Sequence, residues 1–221
     1  MTTPTYLRAR SAEQKEERRR HLVNTARALL HEIPDVHDMG INELARCAQM
    51  TKSNVYRYFE SSEAVLLTVL AEEFKMWRTE LRTALEQGVT EQGTIEHIVQ
   101  AFSATLIARP LMCRLISVFP SILELNISTD RMIEFKLGLQ SVRKETALDF
   151  HRFMPSVSHE TFEKFIHQAL PFLIGLWPLS NPGKISAEVM ARPDLADLHY
   201  DFQRELEQGL LMLLHSRISA N

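Results

Sequence analysis

The sequence predicts an all-α protein of about nine helices. Apolar residues recur at three-to-four spacing along nearly the whole chain, valine-rich alternating runs are absent, and the breaks in periodicity fall at Pro, Gly and capping residues. The pattern divides into a small N-terminal helical domain over residues 11–66 and a larger helical domain over 67–221.

The first helix is expected to begin at Ser11, which forms a capping box with Gln14. Its inner face runs Leu22, Val23, Ala26, Leu29, Leu30 and Ile33, and Pro34 stops it. A short second helix follows Gly40, with Ile41, Leu44, Ala45 and Ala48 facing inward, and breaks at Gln49 and Met50. Thr51 is a good N-cap for a third helix from Lys52 to Phe59. Ser61 or Ser62 caps a fourth, long helix through Leu66, Leu70, Phe74, Trp77, Leu81 and Leu85. Gly88 and Gly93 mark the next break. Beyond it, helices are expected at about 94–108, 110–118, 128–153, 159–177 and 194–217, with Pro171 kinking the one that contains it. Pro178, Pro182, Gly183 and Pro193 make the segment between the last two a long ordered loop with about one helical turn.

Of the 221 residues, 45% are hydrophobic and 24% charged, enough apolar content for a real core. The net charge is −3, so affinity for nucleic acid has to come from a local patch. Residues 1–27 supply one, with seven basic side chains (Arg8, Arg10, Lys15, Arg18, Arg19, Arg20, Arg27) against three acids (Glu13, Glu16, Glu17). No apolar run has the length of a membrane span and the N-terminus is polar, so a cytoplasmic protein with no membrane partner is expected. Cys47 and Cys113 stand far apart in no paired motif and read as small buried hydrophobes. There is no glycine-rich phosphate loop, no His-Glu-x-x-His pattern and no metal-like histidine spacing, which argues against an enzyme, a metal site or a bound cofactor.

Residues of about 40–59 form two short helices around a tight turn, the second polar at its leading end, which describes a helix-turn-helix. In such a unit the first helix buries its apolar face and the second is held so that its first residues enter the major groove. Ile41, Leu44, Ala45, Ala48 and Val55 fit the buried set, and Thr51, Lys52, Ser53, Asn54 and Arg57 the exposed set. Directly behind them stands a crowded aromatic block, Tyr56, Tyr58 and Phe59.

From Leu22 to Leu67, "LVNTARALLHE…GINELARCAQMTKSNVYRYFESSEAVLL" resembles the DNA-binding domain of the TetR-type bacterial transcriptional regulators. The resemblance implies that Thr51 and Lys52 meet the phosphate backbone, that Ser53 and Asn54 approach base edges or phosphates, and that Tyr56 bonds a phosphate. It places Arg57 toward the groove, where a guanidinium can pair bidentately with guanine. Phe59 would turn inward, and Tyr58 stands between the two roles. Two positions depart from the family pattern. The turn glycine is here Gln49, and a phosphate-gripping lysine is replaced by Ser62, between Glu60 and Glu63. One cation fewer per half-site lowers non-specific affinity and the salt slope. The arginines at 8, 10 and 18–20 are positioned in sequence to compensate.

A lone helix-turn-helix offers little surface, so a homodimer on a palindromic DNA operator is expected. Two apolar stripes supply its candidate interface, Phe162, Ile166, Leu170 and Leu173 on one helix and Leu198, Phe202, Leu206 and Leu210 on the other. The resemblance also implies a pocket for a small-molecule effector in the second domain. Its candidate lining is Trp77, Phe102, Met112, Phe119, Met132, Phe135, His167, Phe172 and Trp177. An apolar or aromatic effector fits these side chains, with Arg109, Arg114 and His167 available to anchor an anionic or polar part. The function implied is a ligand-responsive repressor; the alternative is a helical partner-binding protein that keeps the fold without operator recognition.

Overall fold

The computed structural model describes residues 5–33, 35–87 and 93–219, and the side chains of all of these except 5–11, 122 and 123. Every regular element among them is helical. The first helix, α1 (Thr5–Glu32), starts six residues before Ser11. The charged run after Ser11 is made of strong helix formers and is braced by an Arg19–Glu16 pair, so the helix has no reason to stop there. The Ser11 side chain, Pro34 and Gly88 lie outside the described residues. Leu22, Val23, Ala26 and Leu30 are wholly buried along one face.

A 3-10 turn at Val36–Asp38, capped by Asp35, leads into α2 (Ile41–Cys47). The N–H of Met50 donates to the Ala45 carbonyl at 2.9 Å and that of Gln49 to the Arg46 carbonyl at 3.2 Å. This double closure of a helix end requires a left-handed residue between them, and Gln49 takes it with φ of 55°. The glycine's backbone conformation is thus kept by a residue with a Cβ, at a cost of about 1 kcal/mol. From α1, His21 Nε2 donates to the Ala48 carbonyl at 3.1 Å and pins the same turn.

Thr51 Oγ1 accepts from the Asn54 N–H at the start of α3 (Lys52–Tyr56). This helix ends three residues before Phe59, in a turn in which the N–H groups of Tyr58 and Phe59 both donate to the Val55 carbonyl. Ser61, rather than Ser62, caps α4 (Ser62–Glu86), accepting from the Ala64 N–H at 3.1 Å.

After Thr94 comes α5 (Ile95–Ile107), then α6 (Pro110–Val118) with Pro110 in its first turn, and a π-helical turn at Phe119–Leu123. Next are α7 (Thr129–Phe153) and α8 (His159–Ser180), the latter capped by Ser158. Pro171 has no N–H, so the His167 carbonyl loses its helical donor. The Pro-rich segment folds into α9 (Lys184–Met190) and a 3-10 turn at Pro193–Leu198. The helix expected from 194 is divided there, because Asp201 accepts from the Arg204 N–H at 2.8 Å and starts α10 (Phe202–Ser219) afresh.

The chain forms two compact units. One contains the residues up to Val69 together with Ser121–Met132; the other contains Leu70–Pro120 and Ile133–Asn221. A single cut near residue 66 does not capture this, because the α6–α7 connection returns to the first unit. There Asn126, with φ of 52°, donates through Nδ2 to Glu63 Oε1 at 3.1 Å, and the Ser128 N–H donates to Glu60 Oε1 at 2.9 Å. The second unit packs α10 against both α8 and α5, and α6 against α8. Its core is an aromatic chain in which Phe102 meets Trp77, Phe150 and Phe165 with centroids 5.6–5.7 Å apart.

Candidate nucleic-acid interface and ligand pocket

In the first unit, α3 is anchored from below by Val55 and Phe59, both essentially without exposure. The Arg19 guanidinium lies 5.3 Å from the centre of the Phe59 ring and closes over it. With two inward anchors fixed, the helix turns Thr51, Lys52, Ser53, Tyr56 and Arg57 to solvent, and leaves Asn54 and Tyr58 half-buried. Tyr56 is 48% exposed, which is high for so large a ring, and the Lys52 ammonium lies 5.9 Å from its centre. Arg57 and Tyr58 also share a shallow depression with Gln14, Lys15 and Arg18 of α1. Three cations therefore converge beside α3. Lys15 was legible only as part of a charged run, although its three-residue spacing from Arg18 puts both on one helical face. Arg19 is spent on Phe59, and the side chains of Arg8 and Arg10 lie outside the described residues.

In the second unit a cavity of about 390 Å³ opens among α4, α5, α6, α7, α8 and α10. Its floor is apolar: Phe74, Trp77, Phe102, Leu106 and Ile116. The one polar atom of Trp77, its indole N–H, donates to Thr105 Oγ1 at 3.1 Å and is not offered to a ligand. Phe119 and His167 also line the space. Met112, Met132, Phe135, Phe172 and Trp177 lie elsewhere. Met112 is fully buried away from the cavity, and Met132 belongs to the first unit. Phe135 stacks on the Phe119 ring at 5.1 Å, and Trp177 meets Phe202 edge-on at 5.0 Å. The Phe172 ring lies over Gly209 of α10, where any Cβ would come within 2.3 Å of it.

The polar part of the lining is Lys136, Gln140, Arg143 and His167. Arg143 Nε is buried without a hydrogen bond, and its ion-pair partner is Glu163 at 3.5 Å. Arg109, by contrast, is saturated, with Nη1 donating to Glu73 and Nε to Glu80, both at 2.7 Å. The bond from Arg109 holds the Glu80 carboxyl below the ordinary carboxylate range. Arg109 is therefore an internal tie rather than an anchor for a ligand, and Arg114 does not line the cavity.

A family model described as "Tetracyclin repressor-like, C-terminal domain" matches residues 71–218, well over half of the chain. The chain belongs to the TetR-type family. Two solved structures share the fold of this TetR-type regulator. One is the fatty acid degradation regulator FadR from Bacillus halodurans, 16% identical with a TM-score of 0.51, over 89% of this chain and 93% of that one. The other is a possible TetR family transcriptional regulator from Streptomyces coelicolor A3(2), 18% identical with a TM-score of 0.56, over 92% and 100%. No curated protein matches.

Within the TetR-type fold the two apolar stripes are used inside the subunit. Phe162, Leu206 and Leu210 are wholly buried and Leu173 nearly so, while Ile166 and Leu170 line the cavity. Phe202 is half-buried against Trp177, and Leu198 alone of the eight is exposed. The reason is that α10 packs on both α8 and α5, which consumes its apolar face. In the second unit large exposed apolar side chains occur at Met76 of α4, at Ile133, Leu137 and Leu148 of α7, and toward the C-terminus at Leu179, Ile185, Val189, Leu198, Tyr200 and Met212.

Cys113 is buried, and burial pushes its thiol up to about 12, so it carries almost no thiolate at neutral pH. Cys47 is half-exposed, against the expectation of burial, and touches Glu43 and Arg46. Among the described residues no group of three or more His, Cys, Asp or Glu side chains could hold a metal, and no single helix is long and apolar enough to cross a membrane.

Proposed function

We propose that this TetR-type regulator is a ligand-responsive repressor, which binds a palindromic operator as a homodimer through α3 and releases it when a small molecule enters the cavity. The observation that supports DNA reading most is the division of α3 into two buried anchors and five exposed polar or amphipathic side chains. In this reading Thr51, Lys52 and Tyr56 hold phosphates, Ser53 and Asn54 approach base edges, and Arg57 reads a guanine. Lys15 and Arg18 add phosphate contacts from α1 and offset the cation lost at Ser62. Tyr58, half-buried beside Arg18, positions Arg57.

Dimerisation falls to the exposed apolar residues of α9, α10 and the turn between them, with Met212, Ile185 and Leu198 as its anchors. Release follows from chain connectivity. The segment 121–132 belongs to the first unit, where Glu60 and Glu63 grip it, and its two ends lead directly to Phe119 and Lys136 of the cavity. A ligand that favours one arrangement of those ends biases the position of the gripped segment.

A gel shift with DNA flanking the protein's own gene tests the reading. The wild type should retard it, Arg57→Ala should weaken binding roughly 10- to 100-fold and Tyr56→Phe less. Binding that survives both substitutions unchanged would show that α3 is not the reader.

A further inference from the structure

Four aromatic rings reach the cavity, those of Phe74, Trp77, Phe102 and Phe119. Three of them form a continuous run: Phe74 meets Trp77 edge-on at 6.5 Å, and Trp77 meets Phe102 at 5.6 Å with the planes tilted by 52°. Such rings offer a flat ligand stacked and edge-to-face contacts beyond simple burial. The polar groups of the lining are largely engaged within the protein. The Trp77 indole N–H donates to Thr105 Oγ1 at 3.1 Å. Arg143 Nε lies 3.5 Å from Glu163 Oε2, so this guanidinium enters the wall as half of an ion pair between α7 and α8. The Lys136 ammonium lies 4.5 Å from the centre of the Phe119 ring and has a further interaction besides. Gln140 and His167 are exposed and stand where the cavity meets solvent, and an amide and an imidazole can each donate or accept.

We infer that the cavity takes a neutral aromatic ligand, and that Glu163 sets this preference by answering the charge of Arg143. The inference rests on the reading of the cavity as the effector site. At about 30 Å³ per water volume, 390 Å³ holds roughly ten to fifteen non-hydrogen atoms, the size of two fused rings with one substituent. An anion entering here gives up its hydration for an apolar floor and for a guanidinium whose counter-ion is already in place. A cation meets Lys136 and Arg143, and no Asp or Glu is among the described residues that line the space. A neutral aromatic molecule loses little by leaving water, and a single hydroxyl or amide on it can bond to Gln140 or His167 at the mouth.

Four probes are titrated into the full-length protein at neutral pH: 2-naphthol, its saturated counterpart decahydro-2-naphthol, 2-naphthoate and 2-naphthylmethylammonium. The inference expects 2-naphthol to bind about tenfold tighter than either charged probe and about threefold tighter than the saturated alcohol. Phe74→Leu should narrow the gap between the two alcohols. Glu163→Gln leaves Arg143 without its counter-ion, so it should raise 2-naphthoate affinity about tenfold and leave 2-naphthol unchanged. A merely structural role for Glu163 would instead weaken all four probes together. Glu163→Ala removes the same charge and serves if the first variant does not fold. Charged probes that match 2-naphthol, a saturated alcohol that equals it, no binding of 2-naphthol below millimolar concentration, or no gain for 2-naphthoate in the Glu163 variants would overturn the inference. The wild-type series needs no substitution, so misfolding of a variant cannot hide the answer. DNA release is read separately by anisotropy of labelled DNA flanking the protein's own gene. A preference for 2-naphthol without release upholds the ligand class and removes the effector role.

Discussion

In α3, five residues and the turn behind them bury Val55 and Phe59 and leave the polar side chains in water. In α10, eighteen residues bury Leu206, Leu210 and Leu214 completely and expose Met212 by 73%. Both are amphipathic helices, yet one leaves its polar face in water, where the proposed DNA reading would take place, and the other buries most of its apolar face within its own subunit. The difference comes from the number of neighbours. A short helix held at two points keeps most of its circumference free, whereas α10 lies against α8 and α5 together, so Leu206, Leu210 and Leu214 are used within the subunit and Met212 is left outside.

That contrast can be broken most violently at its anchors. Phe59→Ala should remove a fully buried ring and cost about 3–5 kcal/mol, enough to move unfolding of the first unit to much lower urea while the second retains its helices. Urea unfolding followed by circular dichroism should then show two transitions, and a single unchanged transition would mean that Phe59 does not hold α3. On α10, Leu210→Ala should destabilise the second unit by about 2–5 kcal/mol, whereas Met212→Ser should leave stability unchanged and shift the protein toward monomer in sedimentation. Stability loss at Met212, or dissociation at Leu210 without stability loss, would reverse the assignment of the two faces.

A smaller and opposite effect is expected in the turn before α3. Gln49→Gly relieves a left-handed residue and should raise stability by up to about 1 kcal/mol, less the extra freedom that glycine gives the unfolded chain. A lowered Tm would show that the Gln49 side chain contributes more than its backbone costs. The smallest effect concerns acid. Partial burial works to raise the Glu63 carboxyl, but hydrogen bonds from Asn126, its own backbone N–H, Ser62 and Ser61 outweigh it and hold the group below the usual value. A lowered carboxylate contributes stability that is full above the unfolded pKa of about 4.3 and is lost as pH falls through the lower folded value. Glu63→Gln should therefore flatten the acid limb of the stability curve and leave neutral pH little changed; an unaltered acid limb would mean that the Asn126 grip carries no linkage.

How far each region could be read beforehand follows the same contrast. The α3 pattern was legible because Thr51, Val55 and Phe59 answer to local rules, a cap and two inward positions one turn apart. Gln49 was legible as a strained substitution only through the family resemblance, which puts a glycine there; the closure of Met50 onto Ala45 is the reason the position takes a left-handed residue. The uses of Leu206 and Leu210 were not, since an apolar stripe is the same sequence whether the facing helix belongs to its own subunit or another. Nor was the polar wall of the cavity: Lys136, Gln140 and Arg143 carry helical spacing, but solvated faces carry it equally, and only the fold brings them to one cavity. The return of 121–132 to the first unit depends on the acids Glu60 and Glu63, which sequence alone presented as a missing cation at Ser62 rather than as two acceptors in place.

The most direct test of the account is a hydroxyl-radical footprint of the full-length protein on DNA flanking its own gene. The account predicts two protected patches related by a twofold axis, their centres one helical turn or a multiple of it apart, both lost in Arg57→Ala. A single patch, or a footprint that Arg57→Ala leaves intact, would contradict it.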